Sequence, residues 1–230
     1  MSYIGHNAAR IRERIHQAAV RAGRSAEAVR LIAVTKSVGQ AEIRELWNAG
    51  IREMAENRVE RGSVMVPVSP EGITWRLIGP LQRRKTLEAL RWFHAFDAVD
   101  RIAVAETLQR RCDEQDLTVP ILLEVNVSGE ASKHGFAPSE LDRGLREIRP
   151  LDRLKLEGLM TMAPWGAEEQ ILRTVFRTLR QLAEAHGLRE ISMGMSDDFE
   201  IAVEEGSTMV RIGRALFEAP VTDNTCVQDK

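Results

Sequence analysis

Leu31-Ile32-Ala33-Val34-Thr35, followed at once by Lys36, is a nearly all-apolar run, too short for a helix and rich in strand formers. Such a run reads as a strand buried on both faces, the kind found in parallel sheets. The same signature recurs near 50–54, 74–79, 95–99, 119–127, 154–160, 189–193 and 208–212. Helical spacing fills the intervals near 40–49, 56–65, 81–91, 101–115, 138–149, 168–186 and 198–205. An amphipathic helix over 6–22, ending at Gly23, opens the chain. Strands alternating with helices in this way predict a parallel sheet. The expected architecture is α/β, a single closed (β/α)8 TIM-type barrel. An open doubly wound sheet is the alternative, because periodicity does not report closure.

Composition narrows what such a fold does. With 230 residues, 43% apolar and 29% charged, the chain can bury a large core and still cover it with polar surface. The balance of 32 Lys+Arg against 34 Asp+Glu, a net charge of -2, predicts no whole-molecule attraction to nucleic acid or anionic lipid. No apolar run approaches the roughly 20 residues that cross a bilayer. Residues 1–16 carry Arg10, Arg12 and Arg14 but no apolar signal core, so a cytoplasmic protein is expected. Cys112 and Cys226 lack metal-ligand spacing and read as free thiols, and the scattered histidines suggest no metal site. No linker divides the chain, so one domain over 1–230 is expected, with its core at about 6–218 and a tail at 219–230.

Parallel barrels gather their chemistry at the C-terminal ends of the strands, so the residue that closes each apolar run is the one to inspect. Lys36 closes the first. A lysine desolvated there favours its neutral amine, the form that attacks an aldehyde to give a Schiff base. Taken alone, it reads equally as a lysine that snorkels to solvent. Glu56-Asn57 follows the second run, Ile78-Gly79-Pro80 ends the third, and the fifth carries Glu124 and Asn126 with Lys133 and Gly135 downstream. Each has a plainer reading too, Asn57 as a helix N-terminal residue and Asn126 as a turn former.

The most informative segment is Ser192-Met193-Gly194-Met195-Ser196-Asp197-Asp198-Phe199-Glu200, with Gly206-Ser207-Thr208-Met209-Val210-Arg211-Ile212-Gly213-Arg214 after it. Small residues just after two late strands expose backbone N–H groups and a hydroxyl that can cradle a phosphate, where barrels commonly bind one. Ser196 and Asp197 read equally as helix caps. Arg211 lies inside an apolar run, where a charge is costly without an acceptor.

Together with Ala33-Val34-Thr35-Lys36, Ile78-Gly79-Pro80-Leu81-Gln82 with Lys85, and Gly158-Leu159-Met160-Thr161-Met162, these strings resemble the pyridoxal 5′-phosphate (PLP) homeostasis protein family. The resemblance runs from about residue 6 to 218. It implies a barrel like the N-terminal domain of alanine racemase, with PLP held covalently on Lys36. It also implies Asn57 near the cofactor, Ser196 and the backbone of Gly213 and Arg214 on the phosphate, and Arg211 facing the ring nitrogen. A guanidinium there disfavours protonation of the ring nitrogen and weakens the ring as an electron sink. The chain departs from the family pattern at Ala55-Glu56-Asn57-Arg58, where Gly-Glu-Asn-Tyr is common. It departs again at Trp75-Arg76, where Trp-His is common, and at Arg83-Arg84, where Ser-Asn is common. With Arg61 and Lys85, these arginines make one side of the mouth basic, read either as solvated helix faces or as a docking patch for a partner or phosphate.

A racemase needs an acid/base group on each face of the substrate, and no second domain is evident to supply one. Tyr3, the sole tyrosine, lies at the opposite terminus from the barrel's last strands. The expectation is therefore a PLP carrier, buffer or regulator that serves PLP-dependent apoenzymes, without robust catalytic activity, and the family resemblance implies a monomer. A weak PLP-dependent racemase or transaminase and a cofactor-free docking module are the alternatives.

Overall fold

The computed structural model describes residues 2–130 and 133–219. Cys226 and most of the expected tail lie outside them. Eight parallel strands close in sequence order: β1 (Arg30–Val34), β2 (Glu53–Glu56), β3 (Thr74–Leu77), β4 (Ala95–Val99), β5 (Val119–Glu124), β6 (Leu154–Met160), β7 (Glu190–Ser192) and β8 (Met209–Ile212). β8 pairs back onto β1, with Ala33 opposite Ile212, so the barrel is closed and the open sheet is excluded.

Helices α1 (Tyr3–Arg21), α2 (Gln40–Asn48), α3 (Val59–Met65), α4 (Thr86–Trp92), α5 (Ile102–Gln115), α6 (Leu141–Ile148), α7 (Glu169–Ala185) and α8 (Phe199–Glu204) ring the barrel. A one-turn helix, α9 (Arg214–Phe217), follows β8, beyond the last stretch of helical spacing in the sequence. α1 begins with the Ser2 hydroxyl accepting from the Gly5 N–H, and it buries Ile4, Ala8, Ile11, Ile15, Ala18 and Ala19 at helical spacing. It packs on α2, α8 and α9. Asn7 donates to the carbonyls of Leu216 and Glu218, tying the first helix to the end of the barrel.

Among the boundaries that differ from expectation, two have a plain physical reason. The second strand lies at Glu53–Glu56 rather than 50–54, because Gly50 turns with φ 78° and the two glutamates mask the strand's periodicity. The third ends at Leu77 rather than 79, because the chain leaves the sheet at Gly79. A Cβ on Gly79 would stand 2.2 Å from the Asn57 carbonyl oxygen, so only glycine permits the ends of β2 and β3 to approach this closely.

One apolar cluster lies between barrel and helices, and a smaller one fills the lumen with Ile32, Ala55, Ala98, Leu122, Met160 and Met209. The lumen also holds an ionic network. Arg76 donates to both oxygens of Asp97 at 2.8 Å and to Glu53 at 3.0 Å. Arg30 joins Glu53 to Glu190, which also accepts from Thr208. Arg76 and Asp97 are both buried, so each charge depends on its partner for what water no longer provides. The expectation that Arg76 adds to a basic rim is thus corrected, because its charge is spent inside the barrel. Asp97→Ala is expected to destabilise the fold by about 3 kcal/mol in urea denaturation, while Arg76→Met/Asp97→Leu recovers most of that loss. An additive double variant would refute the coupling.

Candidate functional site at the barrel mouth

Along β1, Ile32 faces the lumen, and the two-residue period of the strand carries Val34 and then Lys36 onto that side, at the C-terminal mouth. Lys36 is exposed there. Its loop is clamped from the neighbouring unit: Arg61 donates to the carbonyls of Thr35 at 3.3 Å and Val38 at 2.6 Å. The Thr35 hydroxyl donates to Glu56 at 2.6 Å. Glu56 is fully buried, and that burial raises its carboxyl above the ordinary carboxylate range. Asn57 follows β2, half-buried and adjacent to this clamp.

On the other side of β1 lies β8. Arg211 is buried, donating to the Ser192 hydroxyl at 2.7 Å and the Thr161 carbonyl at 2.9 Å. Both acceptors are neutral, and donors remain on the guanidinium for a further acceptor. Burial lowers its pKa, while the charges of Asp97, Asp198 and Glu124 act in the opposite direction. Of these, Glu124 is itself buried and acts on Arg211 through space.

The loop after β7 turns at Gly194, with φ 96°, where a Cβ would fall 2.6 Å from that of Ala202. Asp198 then accepts from the Met195 N–H at 2.6 Å. Ser196 makes no cap on α8. Its hydroxyl accepts from the Ala215 N–H at 3.3 Å, in the first turn of α9, where N–H groups lack intrahelical acceptors. The cap reading of Ser196 is corrected in this sense: it joins the two late loops. Gly213 lies against β1, a Cβ there being 3.4 Å from the Val34 carbonyl oxygen. The Arg214 side chain pairs with Asp197 and reaches Glu218, leaving its backbone as the part turned to the loop.

Lys36, Asn57, Ser196, Arg211, Gly213 and Arg214 therefore converge on one mouth from β1, β2, β7 and β8. Residues 4–220 match the model of the alanine racemase N-terminal domain family. The Pseudomonas aeruginosa pyridoxal phosphate homeostasis protein is 39% identical over 222 residues, covering 95% of this chain and 96% of its own. The Escherichia coli K12 protein of the same name is 38% identical over 95% of this chain and 97% of its own. The chain belongs to the pyridoxal phosphate homeostasis protein family. PipY of Synechococcus elongatus, solved with PLP bound, is 32% identical with a TM-score of 0.80, covering 94% of this chain and all of that one. Alanine racemase of Clostridium difficile shares the fold alone, at 13% identity and a TM-score of 0.72, over 97% of this chain and 58% of that one.

Within this family member, the structure adds Thr161, Ser192, Glu56 and Asp198 to the residues that shape the mouth. Lys133, downstream of Asn126, is engaged in its own loop with Glu130, the Ser128 hydroxyl and the Met162 carbonyl. Met160 fills the lumen and Met193 packs in the outer apolar cluster.

Burial, and then the nearby Asp100, hold the Glu124 carboxyl above its ordinary 4.5. Between 4.5 and the raised value the folded protein keeps a proton that the unfolded chain has released, so this group's contribution to stability falls as pH rises. Glu124→Gln removes that loss. Its melting temperature relative to wild type is expected to climb as pH rises from about 4.5 to neutrality in a series of thermal melts, and a constant difference would refute the assignment.

Proposed function

We propose that this chain holds PLP covalently through Lys36 and serves as a PLP carrier and buffer. The observation that carries the reading is the convergence, at one mouth, of an amine on β1, donors suited to a phosphate after β7 and β8, and a buried guanidinium on β8. Arg211 tests the fit best, because a fully buried cation bonded only to neutral acceptors suits an electron-rich ring nitrogen.

When bound, PLP supplies an electrophilic aldehyde and an electron-withdrawing ring. The residues do the rest. Ser196 and the backbone N–H groups of Gly213 and Arg214 hold the phosphate, aided by the positive end of the α9 turn. Arg61 and Glu56 fix the Lys36 loop, so the amine enters from one direction. Asn57 stands beside it. Arg211, a guanidinium with no acceptor atom of its own, can only donate toward the ring nitrogen, and its charge disfavours protonation there. That arrangement favours retention of the cofactor over turnover. The receiving partners are PLP-dependent apoenzymes, and the compartment is the cytoplasm. No helix among the described residues is long and apolar enough to cross a membrane.

Wild type and Lys36→Ala, each incubated with PLP, treated with borohydride and digested, provide the test. The wild type is expected to show the visible band of bound PLP and a mass increment on the peptide containing Lys36, with both missing from the variant. A wild type with neither band nor adduct would overturn the reading.

A further inference from the structure

Beside the mouth, between the loops that follow β2 and β3, lies a cleft of about 710 Å³ lined in part by Asn57, Arg58, Arg61, Pro80, Gln82 and Lys85. Its walls meet where Gly79 packs on the Asn57 backbone, so the close approach of β2 and β3 also shapes the floor of the cleft. Two of its lining residues reach the candidate site directly. Asn57 belongs to both, and Arg61 grips the carbonyls on either side of Lys36.

The cleft is cationic in a chain whose net charge is -2. Lys85 pairs with Glu60, the one acidic residue of the lining, and Arg61 lies 3.7 Å from Glu56. Arg58 is exposed and makes no ion pair among the described residues, and Arg84, next to Lys85, is held only by the neutral Gln82 side chain. After those pairings, an uncompensated guanidinium remains in the cleft wall with a second beside it. Guanidinium groups match phosphate oxygens with paired donors, and a concave site concentrates its field.

We infer that this cleft is a capture site for a phosphate monoester dianion, where an incoming PLP molecule is first held by Arg58 before it moves to Lys36. The inference rests on the proposed PLP role and adds a kinetic step to it. A capture site outside the final one raises the association rate and leaves the final equilibrium contacts alone.

The test follows the absorbance of bound PLP after rapid mixing with wild type, Arg58→Ala, Arg58→Lys and Arg58→Glu, at salt from about 20 mM to about 500 mM. At low salt Arg58→Ala is expected to load about fivefold more slowly and Arg58→Glu more slowly still, with Arg58→Lys near wild type. The rates should converge at high salt, and at each salt the dissociation rate should change by the same factor as the loading rate, leaving the equilibrium affinity equal in all four. Pyridoxal, which lacks the phosphate, should load at a rate indifferent to residue 58, and inorganic phosphate should slow PLP loading in wild type more than in Arg58→Ala. Normal PLP uptake with equal loading rates across the four proteins overturns this inference alone, and leaves the cleft as a surface for an acidic protein segment. No uptake by wild type overturns the PLP reading and the capture step with it.

Discussion

In the lumen of the barrel, the Arg211 guanidinium draws β6, β7 and β8 together through the Thr161 carbonyl and the Ser192 hydroxyl. A buried charge has no water to satisfy it, so every group around it must be placed to compensate. The β8 residue that brings this charge into the mouth is followed directly by Ile212 and Gly213, which lie against β1. The position of one cation thus governs both the late loops and the strand that carries Lys36.

The lumen is organised by depth. An ionic network of Arg30, Glu53, Arg76, Asp97 and Glu190 is joined to an apolar cluster, and the polar mouth is built on the strand ends. The carboxylates of the mouth are less compensated than those of the network. Glu56, Glu124 and Asp198 are all buried and shifted toward the neutral form, burial being the first cause in each. Stability is concentrated inside the barrel, and the rim retains groups whose charge depends on what surrounds them.

The barrel is legible in the sequence because its strands are short apolar runs with helical spacing between them, a pattern set by burial on both faces. The runs with interior charge are the ones that blur. β2 reads as Glu-Met-Ala-Glu, so its start is misplaced, and Arg76 reads as a rim charge until Asp97 is found opposite it. The candidate site is legible where one residue closes a strand, as Lys36 and Asn57 do. It is not legible where a role arises from three strands at once. Thr161 and Ser192 stand inside recognisable strings, yet nothing in linear spacing joins them to Arg211, 50 and 19 residues away. The partner of Ser196 is similarly hidden, since α9 is a single turn without a periodic signature.

The closure of β1 against β8, reinforced by Asn7 reaching Leu216 and Glu218, has a consequence for synthesis on the ribosome. The first strand made must wait for the last before both its edges are paired, and an unpaired edge invites wrong partners in the interval. Such long-range pairing is slow to form, because a long loop must close before the contact is gained. The lysine and the late loops of the mouth lie on the two sides of that seam. A nascent chain therefore carries an incomplete mouth until nearly all of the barrel has emerged, and competence to bind arrives together with the finished fold.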